Sequence, residues 1–136
     1  MRIVLDTNEY IFAFGLLQKP PVAALIDRIV DSFPTCSLRI PRMIVEEVRQ
    51  NLTPEGFREF IAFIDALTGI DEDFLVPFEI GVRYEQKGLK PPDAFIGAYT
   101  EWVGADILVT ENRHFLTLHA DLPFRILAAE NCLKLF

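Results

Sequence analysis

The run RIVL, Arg2 to Leu5, is short, branched and apolar throughout, the pattern of a strand buried on both faces of a parallel sheet. ILV at Ile107 to Val109 has the same character, and TCSLRI (Thr35 to Ile40, stopped by Pro41) and FRILA (Phe124 to Ala128) read as two more strands. Parallel strands need long crossovers, usually helical, and helical patterns fill the intervals. After Pro20 and Pro21, VAALIDRIVDSF sets Leu25, Ile26, Ile29, Val30 and Phe33 at helical spacing. PRMIVEEVRQNL starts a helix with proline in its first turn, and Thr53 with Pro54 caps another that carries Phe57, Phe60, Ile61, Ile64 and Leu67 on one side. Asp71 to Asp73 and Pro77 mark a connection, a weaker helical segment runs to Gly88, and Pro91 with Pro92 opens DAFIGAYTEWVG. TENRHFLTLH reads as a loop and short helix. The expected fold class is α/β: a three-layer α/β/α domain with a mostly parallel central sheet and right-handed crossovers. It should occupy residues 1–136 as one domain, since no repeat or linker interrupts the pattern.

Composition narrows the function classes. A 51% hydrophobic chain of 136 residues can bury a sizeable core. A net charge of −7 argues against a generally basic nucleic-acid binder, so any such contact must be local or assisted by a metal ion. Cys36 and Cys132 are too few for a disulfide framework and lack metal-ligand spacing, and a reducing cytoplasm is the simplest setting. YIFAFGLL, Tyr10 to Leu17, falls far short of the ~20 residues needed to span a bilayer. Asp6 interrupts what would be the apolar part of a signal peptide, so no targeting segment is expected.

Several carboxylates fall where such sheets bind ligands, beyond the carboxyl ends of the strands. Asp6 ends the first strand, although Asp6 or Asn8 would equally serve as a cap for the following helix. On the IVEEV helix, a turn of about 100° per residue makes Ile44, Val45, Val48 and Leu52 one apolar arc. Glu46 then points to solvent, and Glu47 lies at the arc's edge, where it reaches a cleft; a solvated pair of helix acids is the plainer alternative. The same construction buries Phe95, Ile96, Tyr99, Trp102 and Val103, turns Glu101 away, and leaves Asp93 beside the apolar face in the first turn. There it either complements the helix dipole or joins a site. Thr110, Glu111 and Asn112 offer oxygens after ILV, with Arg113 and His114 beside them, or else form another cap. Carboxylates brought together repel, and a hard divalent ion such as Mg²⁺ removes that repulsion.

Together IVLDTN, IVEEV, PPDAFIGA and ILVTENRHF, in this order and spacing, resemble the PIN domain, a family of metal-dependent ribonucleases that includes VapC-like toxins of toxin–antitoxin pairs. The resemblance covers nearly the whole chain. It implies a parallel sheet flanked by helices and an acidic pocket for Mg²⁺ or Mn²⁺, with Asp6, Glu47 and Asp93 as the acids. Thr7, Asn8 and Thr110 match the polar positions that support such pockets. The chain departs from the pattern at Asn112, where many members carry an aspartate, and at His114, which replaces a second one. Glu111 or Asp106 would have to compensate.

The expected activity is therefore hydrolysis of RNA phosphodiesters, with Asp6, Glu47, Asp93 and Asn112 at the site and Lys87, Lys90, Arg113 and His114 guiding the substrate backbone. The toxin reading implies an antitoxin partner that covers the acidic pocket. Phe12, Phe14, Phe57, Phe60 and Phe63 would supply its surface or that of a homodimer, or simply pack the core. One alternative is a non-catalytic PIN-like module that binds RNA or protein. Another is a phosphoryl-transfer enzyme with Asp6 as nucleophile, against which LDTN lacks the second aspartate of haloacid-dehalogenase-like phosphatases.

Overall fold

The computed structural model describes residues 1–118 and 121–136. Five parallel strands form one sheet in the order β3-β2-β1-β4-β5. They are β1 (Arg2–Leu5), β2 (Ser37–Pro41), β3 (Ile70–Asp71), β4 (Ile107–Val109) and β5 (Arg125–Leu127). Helices α1 (Thr7–Phe14) and α2 (Pro20–Asp31) link β1 to β2, and α3 (Arg42–Asn51) and α4 (Pro54–Leu67) link β2 to β3. A 3₁₀ turn at Asp73–Leu75, α5 (Phe78–Gln86) and α6 (Pro91–Trp102) lead to β4, and α7 (Arg113–Leu116) to β5; α8 (Ala129–Leu133) follows. The helices flank the sheet in three layers, as expected.

The strands lie where the continuous apolar runs place them. Ile3, Val4 and Leu5 and all of Ile107, Leu108 and Val109 are buried, because layers cover both faces of the two central strands. Register aligns Ile3 with Leu38 on one side and with Ile107 on the other. Tyr10 meets Phe60 edge-on at 5.0 Å between ring centroids, which joins α1 to α4. Phe12, Phe14, Phe57 and Phe63 also pack against the core, each half-buried.

Differences from the sequence reading are local. Asp71 belongs to β3 rather than to a connection, and its carboxylate binds Arg39 of β2 (2.8 Å) and the Tyr99 hydroxyl of α6 (2.6 Å). Only Asp71 of the DED stretch joins this edge strand; Glu72 and Asp73 lead into the 3₁₀ turn. Glu101 does not simply face away: it accepts from Tyr84 (3.0 Å) and Arg83 (2.8 Å). Val30 and Phe33 share their helix's apolar spacing but remain about half exposed at its end. The loop and short helix expected over TENRHFLTLH is present as α7, and its last residue, His119, lies outside the described residues. Among the described residues, no helix is long and apolar enough to cross a membrane.

Candidate metal centre

The chain leaves β1 toward β2 on one side, whereas β4 lies on the other, so the carboxyl ends of β1 and β4 flank the sheet's topological switch point. Asp6 and Thr110 are the residues immediately after those two strands. The ladder runs to its end here, with the Asp6 N–H donating to the Val109 carbonyl (2.9 Å) and the Thr110 N–H to that of Leu127 (3.0 Å).

Asp6 caps and lines the crevice at once. One carboxylate oxygen accepts from the Thr7 N–H (2.7 Å), which is the capping bond at the start of α1. The other accepts from the wholly buried Thr110 hydroxyl (2.7 Å) across the switch point. Burial raises the Asp6 pKa, the bonds from Thr110 and Thr7 oppose the rise, and the charges of Asp93 and Glu111 add to it.

Glu47 approaches from α3. Its carboxylate accepts from the Thr7 hydroxyl at 3.3 Å, while Glu46, the rejected member of the doublet, turns out to pair with Arg49 at 3.0 Å. Burial raises the Glu47 pKa; the Thr7 bond lowers it, and Asp6 and Asp93 raise it again. Asp93 stands in the first turn of α6, half-buried, and accepts from the Asn112 side-chain amide at 3.3 Å. The end of β1 and helices α3 and α6 thus bring Asp6, Glu47 and Asp93 near enough for the Asp93 charge to act on both Asp6 and Glu47.

The donor set suits a hard divalent cation: carboxylate oxygens, partly desolvated, with no ion pair to a lysine or arginine among the described residues. No three His, Cys, Asp or Glu side chains among the described residues lie close enough together to hold a metal ion as they stand.

The remaining sequence candidates divide by position. Asn112 caps α7: its carbonyl oxygen accepts from the His114 N–H (2.9 Å), and its own N–H donates to the Thr110 hydroxyl (3.0 Å). With the side-chain N–H given to Asp93, both ends of its amide are engaged. Asn8, Arg113, His114, Lys87 and Lys90 are exposed, with Arg113 and His114 on α7 and Lys90 just before α6. Asp106 is far from them all. It sits at the amino end of β4, where it accepts from the Arg2 N–H (2.7 Å), so it cannot stand in for an acid at the carboxyl end.

Glu9 escaped the sequence reading. It is fully buried on α1 with Glu111 facing it, and burial followed by that neighbour raises its pKa. The available signal was an acid within the otherwise apolar run EYIFAF.

No family model matches the chain in sequence, and no curated protein does either. The chain is similar to one in the crystal structure of VapBC2 from Rickettsia felis bound to a DNA fragment from their promoter. The TM-score is 0.63 at 17% identity, over 93% of this chain and 97% of that one. The likeness shows a shared fold, the PIN-like α/β/α arrangement implied by the sequence motifs.

Proposed function

We propose that the chain is a metal-dependent endoribonuclease that hydrolyses RNA phosphodiester bonds and acts as the toxin of a toxin–antitoxin pair. The observation that carries this reading is the gathering of Asp6, Glu47 and Asp93 from three elements onto one network of hydroxyl and amide donors, Thr7, Thr110 and Asn112. These residues would hold Mg²⁺ or Mn²⁺, which when bound supplies an activated water and offsets the charge that develops on the phosphate. The chain's own contribution is orientation. Thr110 and the Thr7 N–H hold the two oxygens of Asp6, the Thr7 hydroxyl steadies Glu47, and Asn112 steadies Asp93. Arg113, His114 and Lys90, all exposed, would serve as donors for substrate phosphates on an otherwise acidic chain.

An antitoxin partner belongs to the same proposal, and the VapBC2 assembly with a like fold supports it. The proposed setting is the cytoplasm. Asn112 favours a second reading, a binding module without full nuclease activity, because an amide committed to Asp93 and His114 brings no charge where many PIN domains have an aspartate.

Incubation of structured RNAs with Mn²⁺ or Mg²⁺ tests the first reading. Cleavage by the parent chain and its loss in Asp93→Asn are expected; equal cleavage by both would remove the assigned site. Titration calorimetry with Mn²⁺ separates the second reading, since a binding module has no need to hold the ion.

A further inference from the structure

Helix α3, which carries Glu47, begins without a cap of its own. It starts from Pro41, whose side chain offers no acceptor, and its first turn contains no acid. The free N–H groups at such an end need an acceptor from elsewhere, and negative charge is favoured there. Residues 71–73 supply both. The register of β3 sets Asp71 beside Pro41, and the two residues after it reach the start of α3. The Asp73 carboxylate accepts from the Met43 N–H (3.0 Å), at the second position of the helix, where a capping side chain ordinarily binds. Glu72 pairs with Arg42 (2.8 Å), and Asp71 accepts from Arg39 of β2 through both carboxylate oxygens. The Arg42–Glu72 pair is 40% and 42% exposed and adds little, so Asp73 carries the hold on α3.

Asp71 has a second partner. The Tyr99 hydroxyl of α6 donates to it (2.6 Å), and Tyr99 itself is wholly buried. Met43 lies four residues before Glu47 on α3, and Tyr99 lies six residues after Asp93 on α6. Only about 6 Å and about 9 Å of helix separate the tied points from the two acids. We propose that Asp71 and Asp73 form a clasp that positions Glu47 relative to Asp93, with Asp73 as the external cap of α3 and Asp71 as the tie to α6. Its effect on a bound cation rests on the metal centre proposed above; the capping contact does not.

Asp73→Ala removes the cap, whereas Asp73→Asn retains an acceptor of the same shape. Tyr99→Phe cuts the tie to α6 and keeps the ring. Thr53→Ala is the control: it deletes the bond from the Gly56 N–H to Thr53 Oγ1 (3.1 Å) that caps α4, a helix with no residue in the site. Amide hydrogen exchange without metal and titration calorimetry with Mn²⁺ read the two effects separately. In Asp73→Ala, exchange at Glu46 and Glu47 should quicken by roughly fivefold, the scale of a lost cap. In Asp73→Asn it should stay within about twofold of the parent, since asparagine and aspartate cap about equally well. Mn²⁺ should bind Asp73→Ala and Tyr99→Phe roughly tenfold more weakly, the lower end for groups that support metal ligands, and Thr53→Ala as it binds the parent. Parent-like exchange in Asp73→Ala, or loosening in Asp73→Asn equal to that in Asp73→Ala, overturns the clasp. Parent-like Mn²⁺ binding in Asp73→Ala or Tyr99→Phe, or an equal loss in Thr53→Ala, overturns the positioning role. Failure of the parent itself to bind Mn²⁺ counts against the metal centre instead, and the clasp then stands or falls on the exchange result.

Discussion

Alanine at Gly97 should destabilise the protein, whereas alanine at Gly81 on the facing helix should stabilise it. Gly97 lies one turn after Asp93 on α6, and a Cβ built there would stand 2.7 Å from Cδ1 and 2.9 Å from Cε1 of Tyr84 on α5. The ring has no easy retreat. Tyr84 is 1% exposed, stacks on Phe124 with centroids 6.3 Å apart, and donates its hydroxyl to Glu101 at 3.0 Å. Gly81 would place its Cβ with no atom within 4 Å. Either change removes glycine's backbone freedom in a helix, a gain of about 1 kcal/mol. At position 97 an overpacking penalty of about 1–3 kcal/mol opposes that gain and wins. The net effect there is a loss of up to about 2 kcal/mol, against a gain of about 1 kcal/mol at position 81. For a chain of this length the unfolding entropy makes 1 kcal/mol roughly 3–4 °C in Tm. Thermal melts should then place Gly97→Ala below the parent by up to roughly 6–8 °C and Gly81→Ala roughly 3–4 °C above it. Because α6 must lift away from α5 to admit the methyl group, Gly97→Ala should also weaken Mn²⁺ binding, while Gly81→Ala leaves it unchanged. Melting of Gly97→Ala at or above the parent would refute the reasoning, since the contact would then be too soft to set the height of α6 and Asp93.

Other outcomes follow from the site. At a hundredfold excess over its Kd, Mn²⁺ should add about 2.7 kcal/mol, roughly 9 °C in Tm, and Asp93→Asn should remove most of that shift. Absence of any Mn²⁺-dependent shift in the parent would count against the metal centre. Without divalent ions, stability should fall as pH rises. Asp6, Glu47 and Glu9 all have folded-state pKa values raised above their unfolded values, so the native chain binds more protons once pH exceeds the ordinary carboxylate range. Urea midpoints in chelator should therefore decline from about pH 5 to pH 8, and a midpoint that climbs over this range contradicts the raised values. Asp71→Asn should lower stability by about 1–3 kcal/mol, because it leaves Arg39 without its counter-ion and weakens the acceptor for the Tyr99 hydroxyl; a parent-like urea midpoint would show that this edge network is dispensable.

What could be read in the chain and what could not depend on how local the determining force is. RIVL and ILV announced the two central strands because burial on both faces leaves its mark on every residue of a run. Strand β3 is two residues long and owes its existence to Arg39 and Tyr99, which are 32 and 28 residues away from Asp71. No window around DED contains that information. Helix α8 is similarly short, and its first N–H is met by Glu111 from another loop. Boundaries moved for the same kind of reason: Pro41 closes β2 and caps α3 instead of entering the helix, because its carbonyl and extended backbone serve both elements.

The site follows the same division, and Glu47 and Glu9 mark its two sides. The choice of Glu47 over Glu46 required only the arc set by Ile44, Val45 and Val48, all three of which are buried. Glu9 required knowing that the first turn of α1 faces the loop after β4, a contact between residues 102 positions apart. A helical wheel marks which side of an element is buried, but not what waits on the other side of the contact. An acid on the buried side therefore carries two meanings that periodicity cannot separate: a cavity-lining ligand, or a neutral hydrogen-bond donor. At Asp6 two hydroxyl and N–H donors already surround the carboxylate, which favours the charged form that a cation needs. At Glu9 no such donor is present and the neighbour is another acid, which favours the proton. Burial raises both groups, three positions apart on one helix start, but donors oppose the rise at Asp6 and a second acid adds to it at Glu9.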